Sequence, residues 1–229
     1  MSRREELATA LVAVEGRLAA ACAAAGRARE EVRLIAITKT RPASDVALLR
    51  DLGVADVGEN RDQEAREKAA AVPDVRWHFV GGLQTNKARS VAAYAFAVHS
   101  VDRPALVDAL SAGAQRAERE LEVLLQVSLD GDPARGGALP ADVPRLAEAA
   151  AAAPCLHLAG VMAVAPLGAD PAAAFTELAG VSARLRATHP GATAISAGMS
   201  GDLEQAIAAG ATHVRVGTAL LGERAPVSR

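Results

Sequence analysis

The stretch "VRLIAITKTRPAS", Val32 to Ser44, decides the fold. Its apolar run is typical of a strand that is buried on both faces, yet it ends at Lys39 between two threonines. Side chains alternate along a strand, so Ile35, Ile37 and Lys39 share one face. The run therefore predicts a buried strand that directs a lysine from its carboxyl end.

Seven more short apolar segments follow, alternating with helical patterns. With 33–38, the predicted strands are 54–57, 76–80, 95–99, 122–128, 157–163, 193–197 and 213–216. Such alternation favours parallel pairing with right-handed crossovers, and roughly 200 residues is the minimum size of a TIM barrel. We predict an α/β fold, a single TIM (β/α)8-type barrel in which residues 1–229 form one domain; a doubly wound open sheet is the alternative.

Local signals place the helices and loops around these strands. Apolar residues spaced by three and four between Leu7 and Ala25 predict an extra N-terminal helix. Ser44, Asp170 and Asp202 are predicted N-caps of later helices. The segment 130–139 is predicted to be a flexible loop after strand five, not a domain boundary.

Composition excludes several function classes. Aromatic residues are only 2% of the chain and the net charge is −2, which gives neither a basic footprint nor a stacking surface for nucleic acid. Cys22 and Cys155 lie in alanine-rich helical patterns and are predicted to be buried thiols, and no metal site is predicted. We expect no signal peptide, no membrane partner and a cytoplasmic location.

Polar residues and glycines follow the predicted strands, where TIM barrels carry their functional groups. If Lys39 points into the mouth of the barrel, partial desolvation favours its neutral amine, the form that Schiff-base chemistry requires. A surface lysine in a loop before a proline is an equally good interpretation of the strand alone. His78, opposite in face to its neighbours Trp77 and Phe79, is predicted to be a hydrogen-bonded core histidine.

Two glycine-containing turns predict an anion site. The turn in "GMSGDLEQAI", 198–207, opens onto a helix, and "VRVGTALLG", 214–222, offers another after strand eight. Loops seven and eight are where TIM barrels usually hold phosphate, so Ser200, Gly217 and Thr218 are candidate donors. Ordinary capping explains either turn alone, whereas two adjacent turns favour a ligand.

Arg215 shares a strand face with Gly217 and would point into the barrel mouth, where it needs a partner. An ion pair with Glu59 and contact with a bound ligand are the two options. A lysine able to form an imine, together with a phosphate site, suggests pyridoxal 5′-phosphate (PLP).

Six motifs carry a resemblance to a known family. In order and spacing, "AITKTRP", "VGENRDQE", "WHFVGGLQTNK", "HSVDR", "SAGMSGDLEQAI" and "VRVGTALLGER" resemble the PLP homeostasis proteins (YggS/PROSC family). The resemblance runs from about Val32 to Arg224 and implies a single-domain relative of the alanine racemase barrel, PLP fold-type III. Two places depart from the family pattern: Gly82 stands where proline is frequent, and the 130–139 loop is less polar than expected.

The resemblance also implies roles for seven residues. Lys39 would carry the PLP aldimine, Ser200, Gly217 and Thr218 would hold the phosphate, Arg215 would face the pyridine nitrogen, and Asn60 and Met199 would line the pocket. Because arginine stays protonated, it leaves that nitrogen unprotonated and disfavours a fully developed quinonoid. Transamination and decarboxylation are therefore disfavoured, and racemisation or simple holding of PLP remains.

The resemblance implies a non-catalytic carrier that acts in intracellular PLP homeostasis, with PLP-dependent apoenzymes as candidate partners. We expect a monomer, although the sequence shows no feature that decides between a monomer and a dimer. A PLP-dependent amino-acid racemase is the alternative, but racemases pair the lysine with a tyrosine base. The single tyrosine, Tyr94, precedes strand four, away from the predicted rim. A class I aldolase would use a lysine and a phosphate site without PLP, and both the motifs and Arg215 speak against it.

Overall fold

The computed structural model describes residues 1–222 and shows eight parallel strands that close into a barrel in sequence order. The strands are β1 (Arg33–Ile37), β2 (Asp56–Glu59), β3 (Arg76–Phe79), β4 (Ala97–Val101), β5 (Leu121–Gln126), β6 (Leu156–Met162), β7 (Ala194–Ser196) and β8 (His213–Val216). Pairing of β1 with β8, with Ile35 opposite Arg215, closes the barrel. The predicted TIM barrel is confirmed and the open sheet is wrong. Strands β2 and β4 each start and end two residues later than predicted.

Helices surround the barrel, and the extra N-terminal helix is confirmed. Within residues 1–222 they are α1 (Arg3–Ala24), α2 (Ala43–Asp51), α3 (Asp62–Ala71), α4 (Ala88–Ala92), α5 (Pro104–Arg116), α6 (Val143–Ala152), α7 (Pro171–Thr188), α8 (Leu203–Ala208) and α9 (Thr218–Leu221).

The three predicted caps differ in outcome. Asp170 caps α7 by accepting a bond from the Ala172 N–H. Asp202 occupies the N-cap of α8, but its carboxylate accepts from the Met199 N–H instead of capping the helix. The Ser44 prediction is wrong, because α2 begins at Ala43 after Pro42, whose fixed φ suits the position before a helix.

Helix α1 is long and apolar enough to span a membrane by length and composition, and it alone meets that test within residues 1–222. In the fold its apolar stripe, which includes Leu7, Val14 and Leu18, is buried in one cluster with the barrel exterior. Its charged residues also bind the barrel side: Arg17 pairs with Glu204 at the start of α8. Helix α1 is therefore part of the packed α/β structure.

The main core lies between the strands and the helices. Leu34, Ala36, Val214 and Val216 belong to the cluster that α1 helps to form. Because side chains alternate along a strand, Ile35 and Arg215 point into the barrel, as predicted. Cys22 is buried in α1, but Cys155 is only half-buried and lies in a left-handed turn before β6, so its predicted helical position is wrong.

The barrel interior is unusually polar. TIM barrels are generally filled by layers of branched aliphatic side chains, whereas here Leu124, Met162 and Ala194 form only a small apolar cluster. Buried ionisable and hydroxyl side chains accompany them, including His78 and Arg215. Their hydrogen bonds therefore determine how the interior is organised.

Segment 130–139 is internally bonded and folds back toward β6. Arg135 pairs with Asp130 and donates to the carbonyl oxygens of Val164 and Ala165, while Ala138 bridges to Val127. The loop therefore lies beside the barrel mouth and packs on the body of the fold.

Candidate functional site

A cavity of about 290 Å³ opens at the carboxyl ends of the strands and is called the mouth cavity below. Its volume is close to the lower end of the range for small-molecule sites. Its lining consists of Ile37, Lys39, Asn60, Val80, Val164, Met199, Ser200, Gly201, Arg215, Gly217 and Thr218. The structure thus brings all seven residues predicted for the cofactor to one cavity. That they bind a cofactor remains a prediction.

Lys39 leaves the end of β1 between two threonines that are both held in place. The Thr38 hydroxyl donates to Glu59 Oε1 at 2.7 Å, and the Thr40 N–H donates to Glu64 Oε1 at 2.6 Å. Thr40 has φ 65°, a conformation that a β-branched residue rarely adopts. The surrounding bonds stabilise this strained turn and thereby fix the backbone on both sides of Lys39.

A buried ionic group, called the mouth network, supports that turn. It comprises Thr38, Glu59, Glu64 and Lys68. Lys68 Nζ lies 2.7 Å from Glu59 Oε1, 2.6 Å from Glu64 Oε1 and 2.8 Å from the Thr38 carbonyl oxygen. Burial raises the pKa of Glu59, although the bonds from Lys68 and Thr38 act in the opposite direction. Each of the three N–H donors of the Lys68 ammonium therefore has an acceptor.

The opposite wall is the turn at 198–202. Gly198 has φ 87°, and a Cβ there would come within 2.6 Å of the Ala206 Cβ, so the turn requires glycine. Arg17 of α1 donates to the Ser200 carbonyl oxygen at 3.1 Å. The Ser200 hydroxyl accepts from the Ala219 N–H at 3.3 Å, which joins loops seven and eight. Hydroxyl and backbone groups therefore dominate this wall.

Arg215 forms the floor of the mouth cavity. Its Nη1 donates to the carbonyl and hydroxyl oxygens of Ser196 at 2.8 and 2.6 Å, and its Nη2 donates to the Ala163 carbonyl oxygen at 2.9 Å. Burial lowers the pKa of the guanidinium to about 10, so it remains a cation at neutral pH. The ion pair with Glu59 considered for Arg215 is wrong, because the Arg215 donors go to Ser196 and Ala163 and Glu59 pairs with Lys68 instead.

Asn60 contributes an unsatisfied polar group. Its side-chain oxygen is buried and has no hydrogen-bond partner within residues 1–222, although Asn60 lines the mouth cavity. A buried polar atom without a partner is costly in a folded protein. A ligand with a complementary polar group would remove that cost.

The interior histidines separate into expected and missed positions. His78 is buried and hydrogen-bonded, as predicted. His99 is the last residue of the predicted strand 95–99, but β4 continues to Val101 and His99 is completely buried inside the barrel. No group of three or more potential metal-ligating side chains occurs in the part of the chain that the structure describes.

Several contributing residues were not predicted. Val80, Val164 and Gly201 line the mouth cavity, and Lys68 supports Lys39 from a helix. The spacing of Glu64 and Lys68 by four residues was a sequence signal for their pairing, but it gave no sign that the pair is buried.

The last two residues of the "VRVGTALLGER" motif, Glu223 and Arg224, lie outside the described residues.

Comparisons with known proteins cover nearly the whole chain. The alanine racemase N-terminal domain family matches residues 15–225. The chain is 46% identical to the pyridoxal phosphate homeostasis protein of Mycobacterium tuberculosis, over 97% of this chain and 94% of that protein. It is also similar to the structure of PipY from Synechococcus elongatus with PLP bound: the TM-score is 0.80 and the identity 34%, over 94% of this chain and 100% of PipY.

A more distant similarity concerns the fold alone. Alanine racemase of Corynebacterium glutamicum superimposes with a TM-score of 0.71 at 15% identity, covering 98% of this chain and 62% of the racemase. The family match at 15–225 includes every residue that lines the mouth cavity.

Proposed function

Because this chain belongs to the family of pyridoxal phosphate homeostasis proteins, we propose that it binds PLP in the mouth cavity and acts in cytoplasmic PLP homeostasis. One observation carries the proposal: the cavity combines an amine, a buried guanidinium and a wall of hydroxyl and backbone donors. PipY, similar over 94% of this chain, has a structure with PLP bound.

The residues present fit the chemical groups of PLP. When bound, PLP supplies an aldehyde that condenses reversibly with a primary amine and a phosphate that accepts hydrogen bonds. Lys39 is the cavity's amine, and Ser200, Gly217 and Thr218 would bind the phosphate. Arg215 would face the ring nitrogen, while the unsatisfied Asn60 amide would bond to a polar substituent. Met199, at the rim, would cover the cofactor.

The residues of the mouth cavity favour binding of PLP over catalysis of a PLP-dependent reaction. Its lining contains Lys39 and Arg215 but no tyrosine, histidine or carboxylate among the described residues. Arg215 stays protonated and does not act as a base. A racemase needs a second acid–base group within hydrogen-bond reach of the substrate, and Tyr94 lies instead in a separate groove between α3 and α4. We therefore propose a carrier that supplies PLP to apoenzymes without catalysing a reaction itself.

Titration of PLP into protein purified without it tests the binding step. We expect a visible absorption band that Lys39→Ala abolishes. Lys87→Ala is the matched control, because Lys87 is exposed in the turn at Thr85–Lys87 and does not line the cavity. Failure of the unaltered protein to bind PLP would refute the proposal.

Incubation with L-alanine tests the carrier against the racemase. Chiral chromatography should detect no D-alanine above the level produced by free PLP. Turnover that depends on Lys39 would favour the racemase.

A further inference from the structure

A continuous line of hydrogen bonds crosses the barrel interior and is called the axial chain. It comprises Arg215, Ser196, His99, His78 and Asp56. Arg215 Nη1 lies 2.6 Å from Ser196 Oγ, Ser196 Oγ lies 2.9 Å from His99 Nδ1, His99 Nε2 lies 2.9 Å from His78 Nδ1, and His78 Nε2 lies 2.8 Å from Asp56 Oδ1. Strands β8, β7, β4, β3 and β2 contribute one member each.

The chain links the two ends of the barrel. Asp56 is the first residue of β2 and accepts two bonds from Arg76, the first residue of β3. At the other end, Arg215 lines the mouth cavity. Every member of the axial chain is at most 5% exposed, so bulk water does not replace these bonds.

Only one set of proton positions satisfies the four bonds when both histidines are neutral. Burial opposes the carboxylate form of Asp56, but bonds from His78 and Arg76 hold its pKa at about 2, so Asp56 only accepts. His78 Nε2–H must then donate to Asp56. Burial lowers the pKa of His78 and of His99, and each neutral ring has one donor and one acceptor nitrogen.

The remaining directions follow in sequence. His78 Nδ1 accepts from His99 Nε2–H, and His99 Nδ1 accepts from the Ser196 hydroxyl. The Ser196 oxygen accepts from Arg215. All donors therefore point from the cation at the mouth toward the anion at the far end. Within residues 1–222 no carboxylate makes an ion pair with Arg215, and the oriented chain couples it instead to Asp56.

We propose that the axial chain is a positioning device that holds Arg215 in the orientation required by the ligand of the mouth cavity. This inference rests on the proposed function, because it names the residues behind the arginine that would face the PLP ring. Three of the five guanidinium N–H groups donate to Ser196 and Ala163, and the Nε–H and the second Nη2–H have no partner among the described residues. These two donors remain available to a ligand.

The tautomers can be measured without any ligand. In the full-length protein with ¹⁵N-labelled histidine, long-range ¹H–¹⁵N correlation at neutral pH should show His78 and His99 as neutral rings protonated at Nε2. An imidazolium, or an Nδ1–H tautomer at either position, would overturn the proposed orientation.

A matched pair of serine variants tests the positioning role. Ser196 and Ser100 are both at most 1% exposed, but the Ser100 hydroxyl has no hydrogen-bond partner in the described part of the chain. We expect Ser196→Ala to weaken PLP binding by roughly tenfold, as for the loss of a bond to a charged group. Ser100→Ala should leave the PLP dissociation constant unchanged.

The same variants give a readout that general destabilisation would not produce. Ser196→Ala should move the His99 Nδ1 shift toward that of an unbonded imidazole nitrogen, and Ser100→Ala should not. Equal PLP affinity in the two variants would overturn the positioning role. If unaltered protein fails to bind PLP, the proposed function fails instead, and the histidine spectra still decide whether the chain is oriented as inferred.

Discussion

The mouth network and the axial chain both bury opposite charges, but they arrange them differently. In the mouth network, Lys68 contacts Glu59 and Glu64 directly at 2.7 and 2.6 Å. In the axial chain, three neutral side chains separate Arg215 from Asp56. The first arrangement is a compact ionic group, and the second transmits an orientation across the barrel.

This difference indicates what each network contributes. Removing one member of a contact pair leaves a buried charge without compensation at that point, so stability suffers most. Removing a neutral member of the axial chain leaves Arg215 and Asp56 in place. The donor that bonded to that member then loses its acceptor and is no longer held in one orientation. We therefore expect the mouth network to respond mainly in unfolding free energy and the axial chain mainly in ligand binding.

The largest expected effect follows from breaking the mouth network at its centre. Lys68→Met leaves Glu59 buried and unpaired, and we expect a loss of about 3–5 kcal/mol in unfolding free energy. Urea unfolding measures the change. Lys87→Met, on the exposed turn, should stay within about 0.5 kcal/mol of the unaltered protein. A Lys68→Met loss no larger than that of the control would contradict the assigned role.

A substitution in the turn at 198–202, which belongs to neither network, should change PLP affinity without changing the unfolding free energy. Ser200→Ala removes a hydroxyl expected to donate to the phosphate, so PLP affinity should fall by about 1.5–3 kcal/mol. Equilibrium dialysis measures the change, and Ser44→Ala, an exposed serine of α2, is the control. If both variants bind PLP equally well, Ser200 does not hold the phosphate.

The smallest expected effect concerns acid stability at the far end of the axial chain. The pKa of Asp56 falls from 3.8 to about 2 in the fold, because the bonds from His78 and Arg76 outweigh burial. A carboxyl group whose pKa is lowered in the fold stabilises the folded state at pH values above its unfolded-state pKa. That contribution is lost as the pH falls through the folded-state pKa.

We therefore expect unaltered protein to lose about 2 kcal/mol between pH 4 and pH 2 from this group. Asp56→Asn should show a flatter dependence in that range, as measured by urea unfolding at a series of pH values. Parallel pH profiles for the two proteins would show that Asp56 is not perturbed in the fold. Asp51→Asn provides the control, because Asp51 is exposed at the end of α2.

The strand pattern allowed much of this arrangement to be predicted. Alternation along β1 and β8 was sufficient to direct Lys39 and Arg215 to one mouth, and the glycine turns added Ser200 and Thr218. All of these residues line the mouth cavity. The prediction succeeded because side chains alternate along a strand, so in a closed parallel barrel a residue's place in that alternation decides whether it points into the barrel or toward the helices.

The partners of those residues could not be predicted in the same way. The interior position of His99 was missed because the predicted strand 95–99 ended at this residue, whereas β4 continues to Val101. Ser196 gave no signal, since a serine near a strand end is common. Glu59 was considered a partner for Arg215 because it is a carboxylate at a strand end, but Lys68 reaches it from α3. The reach of a side chain from a helix to the barrel is not encoded in local sequence spacing.

The most direct test of the central claim is borohydride reduction of the PLP-loaded protein followed by peptide mass mapping. The sequence has only three lysines, Lys39, Lys68 and Lys87, so the assignment is unambiguous. Lys68 is buried in the mouth network and Lys87 lies outside the cavity lining. We expect the reduced phosphopyridoxyl group on Lys39 alone; its presence on another lysine, or no modified peptide at all, would contradict the assignment of the mouth cavity as the PLP site.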